Sequence, residues 1–169
     1  MADSTPPFPH RLHDHQVCID ASMDRAEAAC LDRSERFTEN RRAVLKLLLT
    51  GHRPLGAYEI LERFDWKKRR PAPAQIYRAL AFLESIGLIH RIASRNAYLA
   101  CSRPGSHLGT VFLVCEQCEM VAELEGTQMQ TAINTLAEQS GFEPHTQVIE
   151  VTGLCPECTG TPAPDRAET

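Results

Sequence analysis

The sequence predicts an α+β protein of two domains, a winged helix followed by a small α/β domain. Three observations lead to this fold class. Residues 36–100 carry helical apolar stripes that end in a short hairpin, residues 111–153 have the pattern of strands around one helix, and the net charge changes sign between these halves. Because the chain has 169 residues, of which 43% are hydrophobic, two small cores can be buried.

The first domain is predicted to begin at residue 23, after a flexible N-terminal tail. Residues 1–22 hold three prolines and show no apolar periodicity, so we expect no packed element there. A helical pattern starts near Asp24, and a second helix is predicted to open at Thr38. The Thr38 hydroxyl can accept from the free N–H groups of the first turn, and Gly51 with Pro54 ends this helix.

Two further helices and a hairpin complete the first domain. Residues 57–64 and 74–86 place apolar side chains at helical spacing, and Gly87 can end the second of these helices in a left-handed cap. LIHRI (88–92) and NAYLA (96–100) flank a tight connection, which predicts a hairpin. Helices followed by such a wing indicate a winged-helix DNA-binding domain over 23–100, whose last helix enters the major groove.

A second domain is predicted over residues 110–160, beyond a turn-rich hinge at 101–109 and before a flexible C-terminal tail at 161–169. Strand-like segments surround a helix at 126–140, giving a β-β-α-β unit. The apolar positions of that helix are expected to face inward; they are Met129, Ile133, Leu136 and Ala137. A unit of this size holds little core alone, so we expect a homodimer formed through its sheet.

Charge suggests what the protein binds, and hydropathy argues against a membrane-spanning or secreted protein. Residues 36–99 hold 13 Lys or Arg against 5 Asp or Glu, a net charge of +8, whereas residues 100–169 hold 2 against 10, a net charge of −8. A basic block beside an acidic one suggests a module that binds a polyanion. No run approaches about 18 apolar residues, and no secretion signal is visible, so we expect a cytoplasmic protein without a membrane partner.

Two Cys-x-x-Cys pairs in the second domain predict a metal centre. Cys115 and Cys118 form the first pair, and Cys155 and Cys158 form the second. Each pair is a short turn that points two thiolates at one centre, and four such soft ligands in a tetrahedron suit Zn²⁺. Because all four positions are filled, no place is left for a substrate. We therefore expect a structural site that pins the last strand to the first.

A second candidate centre involves residues around the hinge. His90 and Cys101 belong to the two arms of the hairpin, His107 lies in the hinge, and Glu123 lies in the second domain. A metal held by all four would clamp the two domains together. One thiolate and two imidazoles suit Zn²⁺ better than Fe²⁺ or Mn²⁺, so two zinc ions per chain are expected. The alternative ligands for this centre are Glu119, Glu125 and His145.

An enzyme is the competing hypothesis. A zinc hydrolase needs an open coordination position and a nearby base, which a complete set of four ligands does not leave unless Glu123 is unbound. A thiol-disulfide oxidoreductase usually carries its Cys-x-x-Cys at the start of a helix after a strand, whereas residues 115–118 continue into another strand-like segment. The pattern therefore favours a protein that is not an enzyme.

Several segments resemble the Fur family of bacterial metal-responsive transcription regulators. They are FTENRRAVLKLL, AYEILERF, PAPAQIYRALAFLESIGLIHRI and the paired Cys-x-x-Cys, and the resemblance covers roughly residues 26–160. Within the family the chain is most similar to the zinc uptake regulators, because YLAC, GSH, CEQCEMVAE and GLCPEC fall where that subgroup has its ligands. The resemblance implies zinc-loaded homodimers that bind double-stranded operator DNA and repress zinc-import genes.

The resemblance also implies which residues bind zinc and which contact DNA. It assigns the four paired cysteines to structural zinc and His90, Cys101, His107 and Glu123 to regulatory zinc. Tyr58, Tyr77 and Arg78 match positions that contact DNA in the family, and Gln75 stands where relatives commonly have Thr. The basic run beside the winged helix is expected to contact phosphates; it comprises Lys67, Lys68, Arg69 and Arg70.

A different signal on the same fold is the remaining alternative. An iron, manganese or peroxide sensor would share the winged helix and the dimer. Peroxide sensing by iron-catalysed histidine oxidation uses nitrogen and oxygen ligands. Cys101 would supply a sulfur ligand instead, so its presence argues against a peroxide sensor.

Overall fold

A computed structural model of the protein describes Phe8 and residues 15–64, 71–102, 109–145 and 147–159. These residues form two compact units. The first runs from residue 15 to residue 102, and the second contains residues 109–159 together with Phe8. The mixture of helices and small sheets confirms the predicted fold class. Within the described ranges, every helix is too short or too polar to cross a lipid bilayer.

The first helix begins earlier than expected, which corrects the predicted tail at 1–22. Helix α1 spans His15–Asp32, and Ile19, Ser22, Ala26 and Cys30 are buried along one side of it. Their spacing of three to four residues is that of a helix face. The stripe is hard to find in the sequence because a serine and a cysteine occupy two of its positions.

Helices α2, α3 and α4 span Glu39–Leu48, Ala57–Arg63 and Pro73–Ser85. As predicted, Thr38 is the N-cap of α2, where its hydroxyl accepts from the Arg41 N–H. Gly87, at φ 74°, follows the end of α4 in the left-handed region that glycine adopts at low cost. The three helices share a core with α1; its most buried members include Val44, Leu45, Leu48, Ile60, Ile76, Leu80 and Leu83.

The predicted hairpin is present as strands β1, Ile89–Ile92, and β2, Ala97–Ala100. The strands are antiparallel, with Ile89 opposite Ala100 and Ile92 opposite Ala97. The ladder continues one step further, because the Cys101 N–H donates to the Leu88 carbonyl at 2.9 Å. Cys101 is 3% exposed, so it belongs to the wing, as its assignment to an arm of the hairpin predicted, although the predicted hinge began at this residue.

The second unit is a three-stranded sheet with one helix. Strands β3, β4 and β5 span Thr110–Cys115, Val121–Glu125 and Ile149–Gly153. The strand order is β4-β3-β5, with β3 antiparallel to β4 and parallel to β5. The central strand is the most buried: Val111, Phe112, Val114 and Cys115 are all buried on it.

Helix α5, Thr127–Gln139, provides the crossover between β4 and β5. Contrary to the expectation from its apolar stripe, this helix has no fully buried residue. Met129 is 52% exposed and Leu136 is 63% exposed. The apolar periodicity of a helix shows which side is hydrophobic but not which partner covers it. In this unit the stripe is only partly covered by the sheet of its own chain.

Candidate metal centres and nucleic-acid interface

The topology of the second unit brings the two Cys-x-x-Cys pairs to the same end of the sheet. Cys115 is the last residue of β3, and Cys118 lies in the turn that leads to β4. Cys155 and Cys158 follow β5, which runs parallel to β3 with Gly153 opposite Cys115. Because neighbouring parallel strands end at one edge, residues 40 positions apart in the sequence become neighbours in space.

The four sulfur atoms have the spacing of a tetrahedral site. All four lie within 4.8 Å of one another, and the Cys118 and Cys155 sulfurs are 3.7 Å apart. Four sulfurs at about 2.3 Å from a central Zn²⁺ would be about 3.8 Å from each other. A disulfide would need about 2.05 Å, and all four cysteines are free thiols. The donor set and its spacing therefore fit zinc.

The thiols of this cluster do not ionise together readily. Burial raises the pKa of Cys115, but the backbone N–H groups of Cys118, Cys155 and Gln117 lower it more, to about 6. Burial and the neighbouring thiols raise the pKa of Cys158 to about 12. Thiolates packed this closely repel one another, and a divalent cation removes that repulsion. The electrostatics of the cluster thus favour a bound cation.

Phe8 is a member of this site that the sequence did not reveal. Its side chain packs against the buried cysteines of the cluster. An apolar side chain packed beside a metal site limits the access of water to its ligands. The only signal in the sequence is a single aromatic residue within a stretch of prolines, which does not indicate what it contacts.

His90 and Cys101 are brought together by the register of the wing. His90 lies opposite Leu99 on β1, and Cys101 is two residues beyond Leu99, so the two side chains share one face of the hairpin at diagonal positions. A His90 ring nitrogen and the Cys101 sulfur lie within 4.8 Å of each other. A buried thiol beside an imidazole is a donor pair suited to zinc.

The other two predicted ligands of that centre are Glu123, which belongs to the second unit, and His107. Glu123 is on β4 of the second unit, opposite Phe112, and its side chain is half-buried. His107 falls outside the described residues. Of the alternatives, Glu119 has a φ of 62° in the turn that contains Cys118, and His145 is exposed after α5.

Helix α4 presents an exposed face that is suited to the major groove. Ile76, Ala79, Leu80 and Leu83 are buried on its inner side. Gln75, Tyr77 and Arg78 are exposed on the outer side, Tyr77 at 44%. The alanines at 74 and 81 flank Arg78 on this face at helical spacing. Arg78 therefore stands between two small exposed side chains.

Tyr58 lies on α3 in the same unit, and its ring is 66% exposed. A single exposed apolar side chain is common on protein surfaces, so the exposure shows only that the Tyr58 ring is available for contact. The predicted phosphate contacts Lys67, Lys68, Arg69 and Arg70 fall outside the described residues.

Two arginines outside the predicted set hold the exposed helix α4 in place. The Arg41 guanidinium, from α2, lies 3.1 Å from the centroid of the Phe82 ring of α4. Arg33, just after α1, donates to the Ser85 carbonyl at the end of α4 over 3.3 Å. A cation at a helix C-terminus also complements the helix dipole. In the sequence, Arg41 is visible only as one charge of the basic block at 36–99, and Arg33 lies before that block.

Comparison with known proteins points to one family. Residues 32–152 match the model of the ferric uptake regulator family. The zinc uptake regulation protein of Escherichia coli strain K12 is 32% identical over 139 residues, which cover 80% of this chain and 80% of the relative.

Solved structures show the same likeness. A zinc uptake regulator complexed with zinc and DNA superposes with a TM-score of 0.78 at 30% identity, covering 83% of this chain and 95% of the other. The holo form of XcZur superposes with a TM-score of 0.75 at 36% identity, covering 83% of this chain and 98% of the other.

Proposed function

Because this chain belongs to the ferric uptake regulator family, we propose that it is a zinc-responsive transcription regulator that represses zinc-uptake genes. It is a DNA-binding protein and not an enzyme. The observation that carries the choice of metal is the pairing of the buried Cys101 thiol with His90 on the wing. Thiolate and imidazole together favour zinc over iron or manganese. The likeness to zinc uptake regulators at 30–36% identity supports the same choice.

Two zinc ions per chain are assigned to separate tasks. Cys115, Cys118, Cys155 and Cys158 hold the first, which ties the end of β5 to the end of β3 and so stabilises a unit with a small core of its own. His90, Cys101, His107 and Glu123 hold the second, which is the signal. The first ion supplies folding energy. The second ion binds only when the zinc concentration in the cytoplasm is high enough, so its occupancy signals the zinc level to the DNA-binding domain.

The regulatory ligands act by restricting the DNA-binding domain relative to the dimerisation domain. His90 and Cys101 belong to the wing, whereas Glu123 belongs to β4. A shared ion therefore narrows the orientations that the two winged helices of a dimer sample. Binding of DNA then no longer has to order the hinge as well. By reciprocity, operator DNA tightens zinc binding by the same factor, typically about 5- to 150-fold.

Homodimerisation uses the second unit, which exposes several large apolar side chains. Monomeric proteins usually expose such side chains singly and not as a group. These side chains are between 48% and 67% exposed: Met129, Leu136, Phe142, Val148, Val151 and Leu154. Val151 lies on β5, which is an edge of the sheet within the chain. A second copy covers this surface and places two recognition helices about 34 Å apart, one turn of DNA.

At the operator the exposed face of α4 enters the major groove. Arg78 recognises guanine, because its guanidinium donates to both O6 and N7 of that base. Other contacts position the protein on the DNA backbone. These are assigned to Tyr58, Gln75, Tyr77, Lys67, Lys68, Arg69 and Arg70.

A band-shift titration across buffered free zinc tests this function. The purified dimer is mixed with operator duplex, first identified by selection from random DNA, and zinc per chain is measured in parallel. We expect two zinc ions per chain and DNA binding that rises as the second ion binds. Binding that is independent of zinc would refute the proposal.

The same titration with Fe²⁺ and Mn²⁺ tests the alternative signals. Zinc is expected to activate DNA binding at the lowest free concentration, because a thiolate ligand favours it. Activation by Fe²⁺ at a lower free concentration would instead identify an iron sensor.

A further inference from the structure

Phe8 lies far from the paired cysteines in the sequence but belongs to the same unit of the structure. It is grouped with the second unit, whereas helix α1, the next described element, belongs to the first. Its side chain is half-buried and packs against the cluster formed by the buried Cys115, Cys155 and Cys158. The N-terminal segment therefore places an apolar ring on the four-cysteine site.

The site has little other apolar cover. The residues between the paired cysteines include Glu116, Pro156 and Glu157, all of which are exposed. Cys118 is half-buried, whereas the other three cysteines are at most 5% exposed. Within the part of the chain that the structure describes, the partly buried hydrophobic side chains that pack against those three are Phe8 and Cys118. Of these two, only Phe8 is not itself one of the four cysteines.

Access to the site decides how fast a zinc ion can be taken from it. A competing chelator must reach the ion or a sulfur atom before it can displace a thiolate, and a complete set of four ligands leaves it no open position. An apolar shell around a metal site restricts this approach. Packing of the Phe8 ring against the cluster is itself favourable, because it removes apolar surface from water. The position of the ring is therefore suited to slow the exchange of the ion.

We propose that Phe8 covers the structural zinc and slows its removal by competing ligands. The inference rests on the proposed function, which assigns zinc to the four cysteines, but it does not depend on DNA binding. The structural ion stabilises the unit that forms the dimer. In zinc shortage, a slowly exchanging structural ion keeps the dimer folded, so that loss of the regulatory ion alone is sufficient to release the operator.

Zinc transfer to the chromogenic chelator pyridylazoresorcinol tests the role of the ring. All proteins are full-length and carry Cys101→Ser, which removes a proposed ligand of the regulatory zinc, so that the ion measured comes from the four cysteines. Phe8→Ala removes the ring, and Phe8→Leu keeps a large apolar side chain. Leu31→Ala is the control, because it truncates an apolar side chain that is 79% exposed in the first unit. The melting temperature of each zinc-loaded protein is measured in parallel.

The dependence of the rate on chelator concentration separates a cover from a contact that only stabilises the fold. Zinc that leaves after local unfolding is released at a rate independent of the chelator. Direct attack on the folded site gives a rate that rises with chelator concentration. Loss of a cover increases the second rate, whereas loss of a stabilising contact increases the first and lowers the melting temperature.

We expect Phe8→Ala to raise the chelator-dependent rate about three- to tenfold, less than the roughly 10- to 100-fold effect of hydrogen-bonded partners of metal ligands, because a half-buried ring makes no hydrogen bond. Phe8→Leu should restore most of the protection, and Leu31→Ala should match the parent protein. An unchanged rate for Phe8→Ala, or an increase confined to the chelator-independent rate, would overturn the inference. A parent protein that contains no zinc would instead refute the structural site of the proposed function.

Discussion

Leu55 and Tyr98 hydrogen-bond to each other through both of their backbone groups, each N–H donating to the other's carbonyl oxygen at 2.9 Å. This pairing adds the segment before α3 to the outer side of β2. Leu55 is 4% exposed, and the ring of Tyr98 packs against the core of the first unit. Since α3 begins two residues after Leu55, the wing and the helix that carries Tyr58 are joined by backbone as well as by packing.

Leu55→Ala is therefore expected to destabilise the first unit by about 2–4 kcal/mol, because it leaves a cavity between the wing and the helices. Urea unfolding followed by circular dichroism measures the change. Leu31→Ala is the matched control, because Leu31 is 79% exposed and its truncation should cost less than about 0.5 kcal/mol. Equal effects of the two variants would show that Leu55 does not join the wing to the core.

Gly126→Ala is expected to destabilise the second unit by about 1–3 kcal/mol through overpacking. A Cβ at this position would lie 2.4 Å from Val111 Cγ2 and 2.6 Å from the Gly109 carbonyl oxygen. Gly153→Ala is the control, since a Cβ there meets nothing within 4 Å. Thermal melting of both variants gives the comparison, and an unchanged melting temperature for Gly126→Ala would contradict the close approach of these backbones.

Cys115→Ser should remove one of the two proposed zinc ions per chain and unfold or monomerise the second unit. The site loses a thiolate, and a structural zinc site supplies folding energy to the unit that holds it. Metal analysis and light scattering measure the two effects. Cys30→Ala is the control, because Cys30 is buried among the helices of the first unit and should keep both ions. A Cys115→Ser protein that still binds two zinc ions as a dimer would disprove the assignment.

His90→Ala and Cys101→Ser should each leave the dimer and its helical content intact but abolish zinc-dependent operator binding. Both remove a proposed ligand of the regulatory zinc and leave the four-cysteine cluster untouched. His145→Ala is the matched control, because His145 is exposed and was the alternative imidazole. A band-shift titration across free zinc decides the matter: an unchanged zinc response in either ligand variant would refute the regulatory site.

Local patterns were sufficient to predict most helices and strands. Helix α2 is capped by Thr38 and α4 is followed by Gly87 as expected, because capping and left-handed glycine depend on neighbours in the sequence. The Cys-x-x-Cys pairs were recognisable for the same reason, since the spacing of two residues by itself aims two thiolates at one point.

Features that depend on distant partners were missed or misplaced. The predicted start of the first helix lies after its observed start. The buried face of this helix includes Ser22 and Cys30, so it is recognised only when the core that covers it is known. The apolar residues of α5 were expected to face inward, yet Met129 and Leu136 are exposed. Hydrophobicity indicates that a surface will be buried but does not identify the surface that buries it.

The sequence by itself determined the order of the elements, the four-cysteine set and the basic character of the recognition domain, since each is expressed over a few neighbouring residues. Only the tertiary structure decided that β3 and β5 run parallel and end together, that Cys101 continues the wing ladder beside His90, and that Phe8 packs against the four-cysteine cluster. The physical reason is that strand register and side-chain orientation are set by the packing of the whole chain, which local periodicity does not encode.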